Sequence, residues 1–285
     1  MSINVTPLSP QFGARITGAN IADGIDDRTF AEIRSAFDEF AILIFPNQPL
    51  SDEQQIAFST RFGPLESSTG PNPGRGSHFA RQSNIDIKTG DQIPPDDRRM
   101  FYQKANMLWH ADSTFKKTPS LCSMLSAREV PAEGGATEFA STRAAYESLP
   151  ASTKAEIEDV IVEHSFVHSR RIVGFEFTPE EAAYFPGARH RLVTVSPNNM
   201  RKGLMIGVHA VRILGWTEDK SRALLDDLLA RATRPENSFR HEWGEGDVVI
   251  WDNHNALHRA TPYDAAKYRR LMQRTTISTG VESLY

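Results

Sequence analysis

The sequence predicts an α+β protein that is mainly β, a single domain over residues 1–285 built around an antiparallel barrel or double sheet. Three observations predict it. Short β-prone runs recur at irregular spacing along the whole chain, while helical periodicity is confined to the start and to an insertion in mid-chain. No internal repeat or low-complexity run divides the sequence, and all-β barrels of 285 residues are commonly single domains.

The elements follow in order. Residues 12–22 (FGARITGANIA) read as a short strand with turns, and residues 27–40 as an amphipathic helix with Phe30, Ile33, Phe37 and Phe40 at helical spacing. The apolar run at 41–45, stopped by Pro46, fits a buried central strand. Ser51 and Gln54 form a capping box for a helix whose apolar face is expected from Ile56, Ala57 and Phe62. From 66 to 104 the chain turns to Pro, Gly, Ser and charge, which predicts a long loop with at most a short strand near 83–87; loops of this length are often lids. A strand is expected at 121–125 and another starting at Thr137, with Gly134 and Gly135 as turn residues between them. Residues 140–235 form a helical and irregular insertion between core strands: a helical pair split by Pro150, an irregular stretch over 161–210 with short strands near 192–195 and 203–208, and the strongest helix at 217–233, with Leu224, Leu225, Leu228 and Leu229 along one side. Residues 244–253 form a turn feeding a strong strand, and 268–277 the last one.

Composition narrows the function. A net charge of −4 with interspersed signs offers no basic patch for nucleic acid, so a small-molecule partner is expected. The single cysteine, Cys122, cannot form an internal disulfide. No apolar run approaches the roughly 18–20 residues that span a bilayer, and the opening MSINVTPLSP lacks a basic segment followed by an apolar core, so neither membrane nor secretory targeting is expected and the cytoplasm is the expected compartment.

The chemistry centres on ANMLWHADSTF at 105–115. His110 and Asp112 stand at i and i+2, which in an extended segment puts an imidazole and a carboxylate on one face. One divalent metal could touch both, and two histidines with one carboxylate leave the opposite side of such an ion open. The third ligand must then be a distant histidine. His258, in the turn expected after the strand at 246–253, is the candidate, with His254 as its competitor; histidines 78, 164, 168, 190 and 241 read as surface or structural.

This pattern, together with AILIFPNQPLSDEQQIAFSTRFGPLE at 41–66, VPAEGGATEF at 130–139, GDVVIWDNHNALHRA at 246–260 and RRLMQRTT at 269–276, resembles the TauD/TfdA family of Fe(II)- and 2-oxoglutarate-dependent dioxygenases nearly end to end. Within the family, the SNI segment at 83–85 and LLARATRPENSFRHEWGEGD at 228–247 are most similar to the aryloxyalkanoate type that cleaves 2,4-dichlorophenoxyacetate. The resemblance implies a double-stranded β-helix (jelly roll), with His110, Asp112 and His258 as ligands of Fe(II) and Thr137 on the distal carboxylate of 2-oxoglutarate. An arginine must pair with that carboxylate. The family spacing from the distal histidine lands on Arg269, whereas the closing Arg-x-x-x-Arg-x-Thr pattern lands on Arg270; Arg270 is preferred because it shares a strand face with Arg274. Arg274 corresponds to the residue that meets the substrate's anionic group, Asn106 to a substrate-side position, Trp251 to a pocket wall, and His209 to a segment near the pocket. The activity implied is oxidative decarboxylation of 2-oxoglutarate with O2 to succinate and CO2, coupled to hydroxylation of a small anionic substrate. Hydroxylation beside an ether oxygen would cleave the ether. A sulfonate or an N-acyl amino acid would suit the same chemistry; a non-catalytic metal-binding barrel and a zinc hydrolase are readings that leave Thr137 and Arg270 without a purpose. Family members of this kind often associate, so a homo-oligomer is expected.

Overall fold

The computed structural model describes residues 2–9, 12–67, 76–86, 88–196 and 199–285. Strands β1 (Asn4–Pro7) and β2 (Ala14–Thr17) form an antiparallel pair, and after helix α1 (Asp27–Phe40) strand β3 (Ile42–Phe45) returns parallel to β2. Asp26 caps α1 by accepting from Thr29 N at 2.7 Å, worth about 1 kcal/mol. Ala41, at φ +61°, closes that helix and turns directly into β3, whose four residues are all buried.

Helix α2 (Asp52–Thr60) begins with the expected capping box: Ser51 Oγ accepts from Gln54 N at 3.2 Å and Gln54 Oε1 from Ser51 N at 2.7 Å. Its inward face differs from the expectation, since Ala57 is exposed and Gln55, Phe58, Ser59 and Phe62 are buried. The polar pair is tolerated inside because it is satisfied there: Gln55 Nε2 donates to Gln273 O at 2.9 Å, and the Ser59 hydroxyl lies 2.6 Å from that of Thr275.

The segment 66–104 holds more structure than its composition suggests, although residues 68–75 and 87 lie outside the described residues. Strand β4 (Phe79–Ser83) lies ahead of the strand expected near 83–87, and α3 (Arg98–Gln103), capped by Asp97, leads into a tight 3-10 turn at Lys104–Met107. As a sheet edge, β4 needs only one partner strand, so its polar FARQS sequence is compatible with pairing.

Strands β5 (Ser120–Glu129) and β6 (Thr137–Ser141) are joined by a turn that requires glycine. Gly134 sits at φ +75°, and a Cβ there would lie 2.6 Å from Pro262 O. Helices α4 (Thr142–Glu147) and α5 (Ala151–Ile157) are the expected pair. The next stretch is more ordered than expected: β7 (Ile161–His164), α6 (Phe166–Ile172), α7 (Pro179–Ala182), β8 (Ala188–Arg191), β9 (Val193–Val195) and β10 (Lys202–Leu204) precede β11 (Ala210–Ile213). Strands β11, β7 and β8 make a small antiparallel sheet, and α8 (Glu218–Ala232), capped by Thr217, packs near it through Leu225 and Leu228.

The chain closes with β12 (Ser238–His241), β13 (Val248–Asp252), β14 (Ala256–Ala260) and β15 (Leu271–Ser278). The large sheet has the order β1-β2-β3-β13-β5-β15-β4, and a second sheet has the order β12-β6-β14. Strand alternation divides the core. Leu43, Phe45, Met124 and Ile250 pack against α1 and α2, whereas Ile42, Ile44, Leu125 and Trp251 meet Phe139 and Ala256 of the second sheet. The chain is thus a mixed, sheet-rich fold whose site lies between two sheets.

His164, at the end of β7, is fully buried, and neither ring nitrogen has a hydrogen-bond partner among the described residues. Burial, with His190 adding repulsion, pushes its pKa down to about 3. The unfolded chain protonates this residue below about pH 6.5, whereas the native state does not, so stability falls as pH drops from 6.5 toward 3. This group alone accounts for a loss of about 2 kcal/mol between pH 6.5 and 5. Urea unfolding of His164→Leu is expected to show a shallower pH dependence across that range, by about one proton; an unchanged slope would rule the residue out.

Candidate active site

His110 follows the 3-10 turn in an extended segment and exchanges both backbone hydrogen bonds with His258: His110 N to His258 O at 3.0 Å and His258 N to His110 O at 2.8 Å. Residues opposed in this way present side chains on the same face, and the two imidazoles lie with centroids 4.2 Å apart. Asp112 enters from the turn just beyond, so that one ligand atom from each of His110, Asp112 and His258 lies within 4.8 Å of the others. His258 was expected in a turn, but it occupies the middle of β14, opposite Phe139 of β6. The chain reverses earlier, at 252–255, where Asp252 Oδ1 accepts from His254 N at 2.8 Å. His254 stays in that turn, outside the cluster, its carbonyl accepting from Thr194 at 3.0 Å.

Several residues that sequence reasoning did not single out hold the cluster. The Asn253 side chain accepts from Asp112 N and from Trp251 Nε1, each at 3.0 Å, and donates to the hydroxyls of Ser120 and Ser123 at 2.9 and 3.1 Å. Ser123 Oγ donates to Asp112 Oδ2 at 2.7 Å, and Arg274 Nη1 bonds Asp112 Oδ1. Gly207 packs on the His110 backbone so closely that a Cβ there would lie 2.9 Å from Trp109 O. The only sequence hint of this scaffold was a polar asparagine at the end of a buried apolar strand.

Burial works to raise the Asp112 pKa, but the Arg274 guanidinium and the Ser123 hydrogen bond, joined by His258 and His110 only when these carry a proton, outweigh it and hold the carboxylate ionised. Burial lowers His110 to about 4 and His258 well below its ordinary value, so both are neutral near pH 7. His110 Nδ1 must donate to Leu108 O at 2.7 Å, which leaves Nε2 with a free lone pair. Two neutral imidazoles and one ionised carboxylate gathered in this way fit a divalent first-row ion that keeps open positions.

Two cavities meet here. One of about 420 Å³ is lined by Leu125, Thr137, Trp251, His258, Arg270 and Arg274, and one of about 230 Å³ by His110, Asp112, Phe115, Phe166, Arg170 and Arg274. Gln82, Gln103, Asn106, His110 and Arg274 line both. Thr137 begins β6, and its hydroxyl accepts from Trp243 Nε1 at 3.0 Å, leaving its own proton free to donate. Arg270 is buried, with Nη1 donating to Gln82 O at 3.1 Å, and burial lowers its pKa to about 10. Arg269 points the other way and pairs with Glu129 at 2.8 Å on the surface. Asn106 bridges, donating to Gln82 Oε1 at 2.5 Å and accepting from Arg170 Nη2 at 3.3 Å. Trp251 is a buried wall; His209 lies edge-on to His110 at 6.0 Å and bonds Thr114 Oγ1 at 3.1 Å. Arg170 and the aromatic wall around it were missed, although Phe166, Phe175, Phe177 and Phe185 fall within one stretch.

Removing the hydroxyl that orients Asp112 tests the scaffold. Ser123→Ala is expected to weaken Mn(II) or Fe(II) binding about 10- to 100-fold with little change in Tm. Unaltered metal affinity would mean that Arg274 and Asn253 orient the carboxylate without it.

The model of the family described as taurine catabolism dioxygenase TauD, TfdA family matches residues 4–276. The chain is 37% identical to the alpha-ketoglutarate-dependent 2,4-dichlorophenoxyacetate dioxygenase of Cupriavidus pinatubonensis, over 99% of this chain and 100% of that one. It is 36% identical to the (S)-phenoxypropionate/alpha-ketoglutarate-dioxygenase of Sphingobium herbicidovorans, over 97% and 95%. The crystal structure of AAD-2 in complex with Mn(II) and N-oxalylglycine superposes with a TM-score of 0.92 at 37% identity, covering 100% of both chains. With the matched residues running from the first strand to the last, the chain belongs to the TauD, TfdA dioxygenase family.

Proposed function

We propose that the chain is an Fe(II)- and 2-oxoglutarate-dependent dioxygenase that hydroxylates a small aryloxyalkanoate on the carbon beside its ether oxygen, with release of succinate and CO2. The observation that carries this reading is the buried His110–Asp112–His258 cluster at the meeting of two cavities, one ending at Thr137 and Arg270, the other walled by aromatic rings. Relatives named as dioxygenases of 2,4-dichlorophenoxyacetate and of (S)-phenoxypropionate support the substrate class.

His110, Asp112 and His258 would hold Fe(II), which when bound activates O2 and receives the chelating end of the 2-oxo acid. The chain supplies the rest. Arg270 and the Thr137 hydroxyl grip the distal carboxylate of 2-oxoglutarate: a fixed guanidinium fork and a single donor, both at the end of the larger cavity. Trp251 and Leu125 form its wall. Arg274, on the shared wall, orients Asp112 and presents positive charge to the anionic end of the substrate, with Asn106 on the same wall. Phe115, Phe166 and Phe185 hold the apolar body of the substrate and keep bulk water from the reacting carbon. Hydroxylation there yields a hemiacetal that collapses to a phenol and a 2-oxo acid.

The two facing sheets are read as a double-stranded β-helix, with residues 66–104 as a lid and 140–235 as an insertion between core strands. Parts of both segments, including Tyr102, Gln103, Phe166 and Arg170, line the smaller cavity. The proposed setting is a cytoplasmic homo-oligomer without a nucleic-acid or membrane partner. Among the described residues no helix is long and apolar enough to cross a membrane.

Anaerobic titration of the Fe(II)-loaded protein with 2-oxoglutarate, followed by the visible charge-transfer band of the chelate, tests the co-substrate site. Arg270→Ala is expected to raise the half-saturating concentration at least about 100-fold, as for the loss of a buried ion-pair partner, and Arg269→Ala to change it less than about threefold. The reverse ranking would move the anchor to Arg269. Phenoxyacetate is expected to give equal amounts of succinate and phenol in air; succinate coupled to alkyl sulfonates alone would replace the substrate class and leave the co-substrate site intact.

A further inference from the structure

Arg170 is a buried guanidinium with no ion pair among the described residues. It lies in α6, where its planar group covers the rings of Phe166 at 4.0 Å and Tyr102 at 4.8 Å. Its Nη1 donates to Ser169 Oγ at 3.1 Å and its Nη2 to Asn106 Oδ1 at 3.3 Å, while its Nε has no partner among the described residues. Buried charges are ordinarily paired, because an unpaired one forfeits hydration without Coulombic return. A buried, cavity-lining cation without a carboxylate therefore points to an anion that arrives later. Arg170 opens onto the smaller cavity, which Asp112 and Arg274 also line. Arg274 shares the unpartnered Nε but differs in charge balance, since its guanidinium already holds the Asp112 carboxylate.

We infer that Arg170 is the principal anchor of the substrate's anionic group, and that Arg274 adds charge from the metal side. This assignment rests on the proposed reading of the smaller cavity as the substrate site. The planar fork suits a carboxylate, which it can meet through two N–H donors at once. Phe166 stacks on the guanidinium and also faces Phe115 at 4.4 Å and Phe185 at 4.5 Å, so an aromatic acid seated there would set its carboxylate on Arg170 and its ring on the phenylalanines. Substrate choice would then reside in α6, within the mid-chain insertion, and not in the closing strand that carries Arg270 and Arg274.

Calorimetric titration of the Mn(II)-loaded protein, saturated with N-oxalylglycine, with phenoxyacetate and with the neutral phenoxyacetamide tests the assignment. Arg170→Gln is expected to weaken phenoxyacetate at least about 30-fold, a loss in the range for removing one partner of a buried charge pair, while phenoxyacetamide changes less than about threefold. Retention of the Fe(II)–2-oxoglutarate band in the variant shows that the metal and co-substrate sites are intact; where the band is lost, Arg170→Lys takes its place, with a loss of about tenfold expected for the anion alone, since the charge stays and the fork goes. Equal losses for both ligands would make Arg170 a packing residue and overturn the inference, as would undiminished binding of phenoxyacetate. Should the wild type bind no phenoxy ligand but take octyl sulfate in an Arg170-dependent way, the substrate class falls and the anchor stands.

Discussion

The reciprocal backbone pairing of His110 with His258 is the constraint on which the site depends. It ties the segment that follows the 3-10 turn to β14, and β14 is in turn registered against β6. In that register His258 opposes Phe139 and Ala260 opposes Thr137, so Thr137 and His258 present their side chains to the same face, one step of the ladder apart. A slip of one residue would turn both away from the cavity. The geometry that gathers His110, Asp112 and His258 therefore also sets the distance from them to the far end of the larger cavity. From the facing sheet, Arg270 just before β15 and Met272, Arg274 and Thr276 within it alternate inward; the larger cavity lies between Arg270 and Arg274 and the Thr137, His258 and Ala260 positions of the β6–β14 pair, whereas the smaller one is bounded by Arg274 and Thr276 together with Tyr102, Phe166 and Arg170.

Electrostatics makes the cluster usable at neutral pH. Burial alone would leave Asp112 protonated, and an acid in that form could not serve as a ligand. Arg274 and Ser123 prevent this from opposite sides of the carboxylate, each taking one oxygen. Burial has the opposite effect on the imidazoles: it removes their protons and leaves the lone pairs available. The same low-dielectric pocket thus keeps the carboxylate charged and the histidines neutral, because only the carboxylate has a guanidinium in contact.

Much of this was legible in the sequence where a local rule acts alone. The capping box at Ser51, the helix at 27–40, the buried run at 42–45 and the His-x-Asp pair each follow from a few neighbouring residues. Elements that depend on distant partners were not legible. β4 has no alternation and exists by pairing with β15; β7 and β8 need each other and β11; and the inward turn of Gln55 and Ser59 depends on a carbonyl and a hydroxyl that lie on another strand. Within the site, residues tied to a motif could be named in advance, whereas Ser123, Asn253 and Arg170 act only through contacts that cross the fold. Arg170 in particular sits in a helix of seven residues that no periodic pattern announces.

Charge accounts for why those distant contacts matter. The chain as a whole carries a net charge of −4, yet the walls of its two cavities hold three buried or largely buried guanidiniums, Arg170, Arg270 and Arg274, against two such carboxylates among the described residues, Asp112 and Glu66, the second already paired with Lys116. A divalent metal at the cluster would add further positive charge. Such an arrangement is unfavourable by itself in a low-dielectric interior and becomes balanced only when anions enter. A dianionic 2-oxo acid in the larger cavity and a monoanionic acid in the smaller one would supply that balance, with Arg274 on the wall they share facing both. Each acid should therefore bind to cations that outnumber the carboxylates of its own walls, while the direct term between the two acids stays repulsive, so that the walls and not the second acid supply the affinity.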